Sequence, residues 1–280
     1  MDFKQFKKLI MIEQTFFALP FALIGVLFAG GGTLQTWILV IIALTAARTA
    51  GMSFNRVIDA KIDAANPRTA DRLIPSGEVR PGAVWWIATV SILVLIGASY
   101  LLNELCFYLS FVAAALLFTY SYFKRFSSSS HFYLGVVEAA APIGGYLAVT
   151  GQFSALPLVL GFIILAWIAG LDIVYALQDM EHDKKSGLHS IPARLGRSNA
   201  LVLSAVCYLF SMGAMIAAGL LADKGVPYWI GIAAIGVIFL FQQRLARAED
   251  LGGAVKRLFA INAYISPILF LGTLIDVLVV

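Results

Sequence analysis

The sequence predicts an all-α, polytopic membrane protein of about nine transmembrane helices gathered in one bundle. Three observations carry this expectation. The 280 residues are 60% hydrophobic and only 13% charged, with a mean hydropathy of +0.88, too few polar groups to coat a water-soluble domain of this size. Apolar runs of about 20 residues, the length a helix needs to cross the hydrocarbon core, recur along the chain. Lysine and arginine then concentrate in every second connection, as they do on the cytoplasmic side of membrane proteins. Because lipid satisfies no backbone polar group, each run is expected to be a continuous helix.

The runs fall near 10–30, 34–57, 82–102, 104–123, 131–151, 155–178, 199–221, 226–244 and 257–279. Lys4, Lys7 and Lys8 precede the first. Arg56, Lys61, Arg68, Arg72 and Arg80 follow the second, and Lys124 and Arg125 follow the fourth. Lys184, Lys185, Arg194 and Arg197 follow the sixth, and Arg244, Arg247, Lys256 and Arg257 the eighth. The opposite connections, around Gly30 to Thr33, Leu102 to Glu104, Gly151 to Ala155 and Ala222 to Gly225, contain only Lys224. The N-terminus is therefore expected in the cytoplasm and the C-terminus outside, in a multi-pass protein of the inner (cytoplasmic) membrane. Residues 1–30 resemble a secretory signal in charge order, but the apolar stretch is long and eight more follow, so it is expected to be retained. The net charge of +4 then reads as topology plus a local anion site, with no call for nucleic acid. Cys106 and Cys207 fall inside spans with no CxxC spacing and are expected to behave as small apolar residues.

Two acidic signatures share one beat. Asn55, Asp59 and Asp63 step by four residues at the end of the second run; Tyr175, Asp179 and Asp183 do so at the end of the sixth, with Asp172 one turn earlier. Residues four apart share a helix face, and stacked like charges destabilise a helix unless something positive lies between them. Both helices cross in the same direction, so both signatures face one side. Each leads into a long polar connection, Ala60 to Arg80 and Met180 to Asn199, and each connection holds an Ile-Pro pair. The pattern is a weak parallel repeat, read as one domain over 1–280 with two related parts, about 1–125 and 131–280. The Ser127 to Ser130 tract between them reads as a flexible linker.

The two connections bring oxygen donors (Asn55, Asp59, Asp63, Asp172, Asp179, Asp183) and cations (Arg68, Arg72, Lys184, Lys185) to one place. Mg²⁺ prefers a few carboxylates plus phosphate oxygens, and arginine offers phosphate a bidentate fork, so a diphosphate uses both sets. The bland alternative is solvated loop charge. Within the membrane, Arg48 stands seven residues before Asn55 on the same face, as Asp172 stands before Asp179. An intramembrane charge is a functional candidate by default, although a structural pair with Glu138 competes with that reading. Tyr120 and Lys124 close the fourth run, where interface anchoring is the plain alternative.

On these residues the chain resembles the UbiA superfamily of intramembrane prenyltransferases. Asn55-Arg-Val-Ile-Asp59-Ala-Lys-Ile-Asp63 is similar to that family's first NxxxDxxxD motif, and Asp172-Ile-Val-Tyr175-Ala-Leu-Gln-Asp179-Met-Glu-His-Asp183 to its DxxYxxxDxxxD motif. Asn66-Pro-Arg68-Thr, Asp71-Arg72-Leu-Ile-Pro75-Ser76-Gly77 and Thr119-Tyr120-Ser121-Tyr122-Phe123-Lys124-Arg125 are similar to its first loop and its Tyr/Lys segment. The resemblance implies a Mg²⁺-dependent transfer of a polyprenyl group from its diphosphate to an aromatic acid acceptor, 4-hydroxybenzoate or a dihydroxynaphthoate, in ubiquinone or menaquinone biosynthesis. It implies a central cavity open to lipid beneath a cytoplasmic cap. In that frame Asn55, Asp59, Asp63, Asp179 and Asp183 hold metal, with Asp172 and Tyr175 beside them. Arg68, Arg72, Lys184, Lys124 and Tyr120 meet the diphosphate, and Arg48 with Asn55 meets the acceptor. The first-span segment Glu13-Gln14-Thr15-Phe16-Phe17-Ala18-Leu19-Pro20 lacks an Arg that many 4-hydroxybenzoate enzymes of the family carry there, which leans toward the naphthoate branch.

The rival class is a secondary transporter, since internal repeats and intramembrane acids also mark transporters. There the site is expected at the bilayer midplane between broken helices. An intramembrane metalloprotease lacks its HExxH motif here, and His131, His182 and His189 share no face.

Overall fold

The computed structural model describes residues 1–279, with Glu13, Gln14 and Phe16 described by their backbone alone. An amphipathic helix α1 (Phe3–Ile10) opens the chain, capped reciprocally by Asp2 and Gln5. Then come α2 (Ile12–Phe28), α3 (Leu34–Ile58), the short α4 (Ala60–Ala65), α5 (Pro81–Leu102), α6 (Glu104–Phe123), α7 (Ser130–Thr150) and α8 (Ala155–Ala176). A 3₁₀ turn, Leu177–Asp179, leads into α9 (Met180–Lys185), followed by α10 (Ile191–Leu221), α11 (Val226–Leu245), α12 (Leu251–Asn262) and α13 (Ile265–Val279). Among the described residues eight helical segments are long and apolar enough to cross a membrane, and Phe17–Phe28 is a shorter apolar helix. Together they match the nine apolar runs.

The helices close a ring. Helix α3 packs on α5, α5 on α6, α6 on α7, α7 on α8, α8 on α10, α10 on α11, and α11 on α13; α13 returns to α2, which also packs on α3 and α7. The α2–α7 seam shows why small residues are placed there. A Cβ on Gly25 would lie 2.1 Å from the Pro142 carbonyl oxygen, and one on Gly145 would lie 1.9 Å from that of Ala22. Backbone on backbone is the packing that membrane helices use when burial gives no hydrophobic gain over lipid. Trp167 of α8 is fully buried at the centre against Phe17, Phe21 and Phe239, while Leu93, Tyr108, Phe210, Leu240 and Leu278 point outward. Large apolar side chains on the outside are what a lipid-facing surface requires.

Three boundaries depart from the sequence reading, each for a local reason. The last run divides at Ala263 and Tyr264, because Pro267 has no N–H to donate to the Ala263 carbonyl. Helix α10 begins at Ile191, eight residues earlier than expected. Ser190 caps it by accepting from the Ala193 N–H, and Gly196 supplies a turn at φ 76°, ψ 167° that joins the short entry to the long span. The serine tract is not a loose linker: Ser127 and Ser129 hydroxyls bond at 2.7 Å, Arg194 donates to Ser128 at 3.2 Å, and Ser130 already opens α7. Both cysteines are buried and unpaired as thiols.

Candidate active site at the helix ends

Helix α3 stops at Asp59, which is at once its last half-turn and the cap from which α4 departs at a new angle, φ −88°, ψ 1°. Asp59 and Asp63 are therefore buried, at 1% and 4% exposure, on two short segments rather than on one straight face. Asn55 donates to Asp59 at 2.9 Å and to the Ser121 hydroxyl at 3.4 Å, tying α3 to α6. From the end of α6, Lys124 pairs with Asp59 at 2.9 Å, and Arg125 reaches both the Ile58 carbonyl at 2.8 Å and Asp59 at 3.5 Å. Arg72 sets one nitrogen between the two oxygens of Asp63, 2.7 Å from each.

The second signature meets the first. Arg68 lays its fork on Asp179, with contacts of 2.9 and 2.5 Å, and donates a third hydrogen bond to the Tyr175 hydroxyl at 2.6 Å. Asn66 adds a bond to Asp179 at 3.2 Å while its own oxygen accepts from the Arg68 N–H at 3.0 Å. Burial alone would lower the Arg68 pKa, but the bonds to Asp179 and Tyr175 and their charges outweigh it and hold the guanidinium above the ordinary arginine range. The second loop also touches the α6 end directly: the His189 N–H donates to the Lys124 carbonyl at 2.8 Å. The two aspartate-bearing ends, one after α3 and one after α8, thus form a single cluster at one end of the bundle.

Asp172, one turn deeper on α8, bonds to His131 Nδ1 at 2.7 Å. His131 Nε2 accepts from the Ile191 N–H at 3.2 Å, which places the ring proton on Nδ1, facing the carboxylate. Sequence reasoning missed this histidine, having weighed it only as a metal ligand. Ser121, Asn66 and Arg125 were present in the quoted motifs without a role; a lone polar residue at a buried helix position was the available signal for Ser121, and Asn66 and Arg125, beyond their helix ends, carried none. Arg48 pairs with Glu138 of α7, the structural pair that competed with a binding role. Tyr120 is half-buried on α6 within electrostatic reach of Asp172, Asp59, Glu138 and Tyr175. Lys184 is not brought to the cluster; it is exposed and pairs with Glu181 at 3.1 Å. Glu13, Gln14 and Phe16 of the first-span segment have side chains outside the described residues, so the acceptor argument resting on them finds no geometry.

Among the described residues no three acidic, histidine or cysteine side chains form a ready-made metal cage. The donor chemistry nevertheless fits Mg²⁺, which binds through one or two carboxylates and substrate phosphate oxygens rather than through an all-protein shell. Asp59, Asp63 and Asp179 are hard oxygen ligands whose present counter-ions, Lys124, Arg72 and Arg68, are themselves phosphate-binding groups.

Residues 18–264 match the UbiA prenyltransferase family. The 4-hydroxybenzoate octaprenyltransferase of Aeromonas salmonicida is 31% identical over 255 residues, 89% of this chain and 86% of that one. Its counterpart in Pseudomonas entomophila is 28% identical over 98% of this chain and 93% of its own. The apo structure of a UbiA homologue from Aeropyrum pernix K1 superposes with a TM-score of 0.88 at 30% identity, covering 95% of this chain and 98% of that one. A UbiA homologue from Archaeoglobus fulgidus bound to DMAPP and Mg²⁺ shares the fold, with a TM-score of 0.74 at 18% identity over 99% of each chain. Eight helical segments able to cross a membrane among the described residues, two acidic helix ends joined through Arg68 and Asn66, and these likenesses agree: the chain belongs to the UbiA prenyltransferase family and is a multi-pass membrane enzyme of prenyl transfer.

Proposed function

We propose that this enzyme transfers a polyprenyl group from its diphosphate to a ring carbon of an aromatic acid, with 4-hydroxybenzoate the first acceptor to test because the relatives described above are named for it. The observation that carries the reading is the Arg68–Asp179–Asn66 junction, which fuses the two acidic signatures into one site. Each carboxylate there is already matched to a cation. An incoming diphosphate offers those cations a second anion, so Arg68, Arg72 and Lys124 shift their donors toward phosphate oxygens and release Asp179, Asp63 and Asp59. With Asn55 and Asp183, these carboxylates would hold Mg²⁺, which supplies Lewis-acid stabilisation of the negative charge that grows on the leaving diphosphate.

In the reaction the allylic C–O bond breaks and its electron pair leaves with the diphosphate. The cation left on the prenyl carbon is attacked by the ring carbon ortho to the phenolic hydroxyl, and that carbon then loses its proton to the released diphosphate. Once on the phosphate oxygens, Arg68, Arg72 and Lys124 lower the barrier because they face negative charge that grows on the way to the transition state. Tyr175, whose hydroxyl accepts from Arg68, and Tyr120, within electrostatic reach of Asp59 and Asp172, help to hold the cation or the diphosphate, and His131 fixes Asp172. Arg48 binds the acceptor carboxylate in exchange for Glu138. The 60–80 connection acts as a lid that excludes water from the cation, and the helix ends carrying the site face the cytoplasm of the inner membrane, with the C-terminus outside. The chain works as one domain whose two parts, about 1–125 and 131–280, each contribute one acidic end. Lys184, held by Glu181 at the surface, is left out of this account.

Membership of a transferase family sets aside the transporter alternative. The test is to supply the purified enzyme with Mg²⁺, a polyprenyl diphosphate and equal amounts of 4-hydroxybenzoate and a dihydroxynaphthoate, and to weigh the lipid product. A prenylated benzoate is the expected mass. A naphthoate product replaces the acceptor but keeps the donor chemistry, whereas diphosphate consumption with no prenylated acid contradicts the assignment.

A further inference from the structure

Helix α3 carries a second charged face. One position beyond Asn55, and so about 100° around the helix, Arg56 reaches toward Met11 at the end of α1, with Asp63 and Asp59 in electrostatic reach but outside ion-pairing distance. It is buried, at 8% exposure, yet among the described residues no carboxylate lies within ion-pairing distance, and its side chain donates only to Met11 Sδ at 3.1 Å. Thioether sulfur is a weak acceptor, and the other guanidinium donors, which are not sealed from solvent, meet no carboxylate among the described residues, so they are free to match an anion that enters from solvent. Arg56 lines a cavity of about 200 Å³ with Lys8, Arg72, Leu9, Leu73 and Ile74, and among the described residues no acidic one is in its wall. The volume decides what class of group fits. It is below the roughly 300–1,000 Å³ of sites for drug-sized ligands, so a phosphate group fits and a prenyl chain does not.

We propose that this cavity, between α1, α3 and the first polar connection, is a second anion subsite that takes a phosphate group, adjoining the diphosphate site through Arg72 but not resting on the catalytic reading. Its two sources are a phospholipid headgroup and free inorganic phosphate or diphosphate. Helix α1 presents the leaflet route: Phe3 is 70% exposed beneath Lys7, whose ammonium lies 4.6 Å from the ring centre, while Leu9 and Ile10 anchor the helix on Leu73, Val79 and Val84. Such a basic, one-sided helix suits an anionic membrane surface. Arg72 presents the other route, since it lines this cavity and also holds Asp63 of the acidic cluster.

The experiment measures the melting temperature of the full chain in Mg²⁺-free phosphatidylcholine nanodiscs, with and without inorganic phosphate, and in phosphatidylglycerol nanodiscs without phosphate. An anion that binds the folded state alone should raise Tm by roughly 3 °C at saturating occupancy. The rise should persist in Arg68→Gln and vanish in Arg56→Met. A rise only with phosphatidylglycerol assigns the lipid source, and a rise only with phosphate assigns the free anion. Loss of the rise in Arg68→Gln moves the anion to the diphosphate site and overturns the proposal while leaving the catalytic reading intact. No rise in the wild type, or an equal rise in Arg56→Met, also overturns it. Should Arg56→Met fail to fold, exposed Lys8 takes its place: Lys8→Met should cut the rise about twofold, and an unchanged rise refutes the site.

Discussion

Asp59 and Asp179 are each held by cations that reach the solvent, and this decides how they respond to substitution. Lys124 and Arg68 are 33% and 34% exposed at the side chain, so neither is stranded when its carboxylate is neutralised. Isosteric Asp59→Asn and Asp179→Asn are therefore expected to leave the melting temperature within a few degrees of wild type while turnover falls by about 10²-fold or more, the scale on which charge-stabilising groups act; melting curves and product formation measured on the same preparations check this. Arg48→Ala should raise the KM for the aromatic acid about tenfold or more and leave the KM for the diphosphate nearly unchanged. Arg68 also fixes a pH expectation. Its folded pKa is raised above the unfolded value, so the stabilisation by its pairing is complete below the ordinary arginine range and is lost only above it. Arg68→Lys substitutes a group that titrates near 10.4, so the variant should lose diphosphate affinity between about pH 9 and 11 where the wild type does not. A pH series of the donor KM reads this directly.

At the scale of elements, the sequence made the spans legible because lipid imposes one solution on an apolar run, while the ends depended on particular residues. Asp59 looked like the middle of a four-residue ladder but is a joint between α3 and α4, because Lys124 and Arg125 of α6 capture it there. Helix α1 left a weaker mark, because eight residues of mixed polarity ahead of an apolar run carry little signal; its Asp2–Gln5 capping box is a finding of the structure. His131 was illegible for another reason. Its partners, Asp172 and the Ile191 N–H, are 41 and 60 residues away, and no local pattern predicts that meeting. The α2–α7 seam is the element most sensitive to change. Gly145→Leu should open it, since even a Cβ meets the Ala22 backbone, and a loss of several degrees in Tm with reduced yield is expected; Gly144→Ala, one position away with open space around it, is the control.

For the whole molecule, the resemblance read from the two motifs, the first loop and the Tyr/Lys segment named the family that residues 18–264 match, and the run count anticipated the spans. What motif spacing left open was which cations join which acids, and Lys184 shows why: sequence proximity to Asp183 placed it in the site, whereas α9 turns it outward to Glu181. Acceptor choice stayed open because the first-span segment that bears on it has the side chains of Glu13, Gln14 and Phe16 outside the described residues. Removal of Mg²⁺ with a chelator should abolish prenyl transfer and its replenishment should restore it, measured as labelled lipid product. The central claim is that two aspartate-bearing helix ends work as one diphosphate site, and the most direct measurement is diphosphate released per prenylated acid by Asp59→Asn and by Asp179→Asn in nanodiscs. Both variants are expected to lose release and product together. Wild-type turnover in either one would contradict the account.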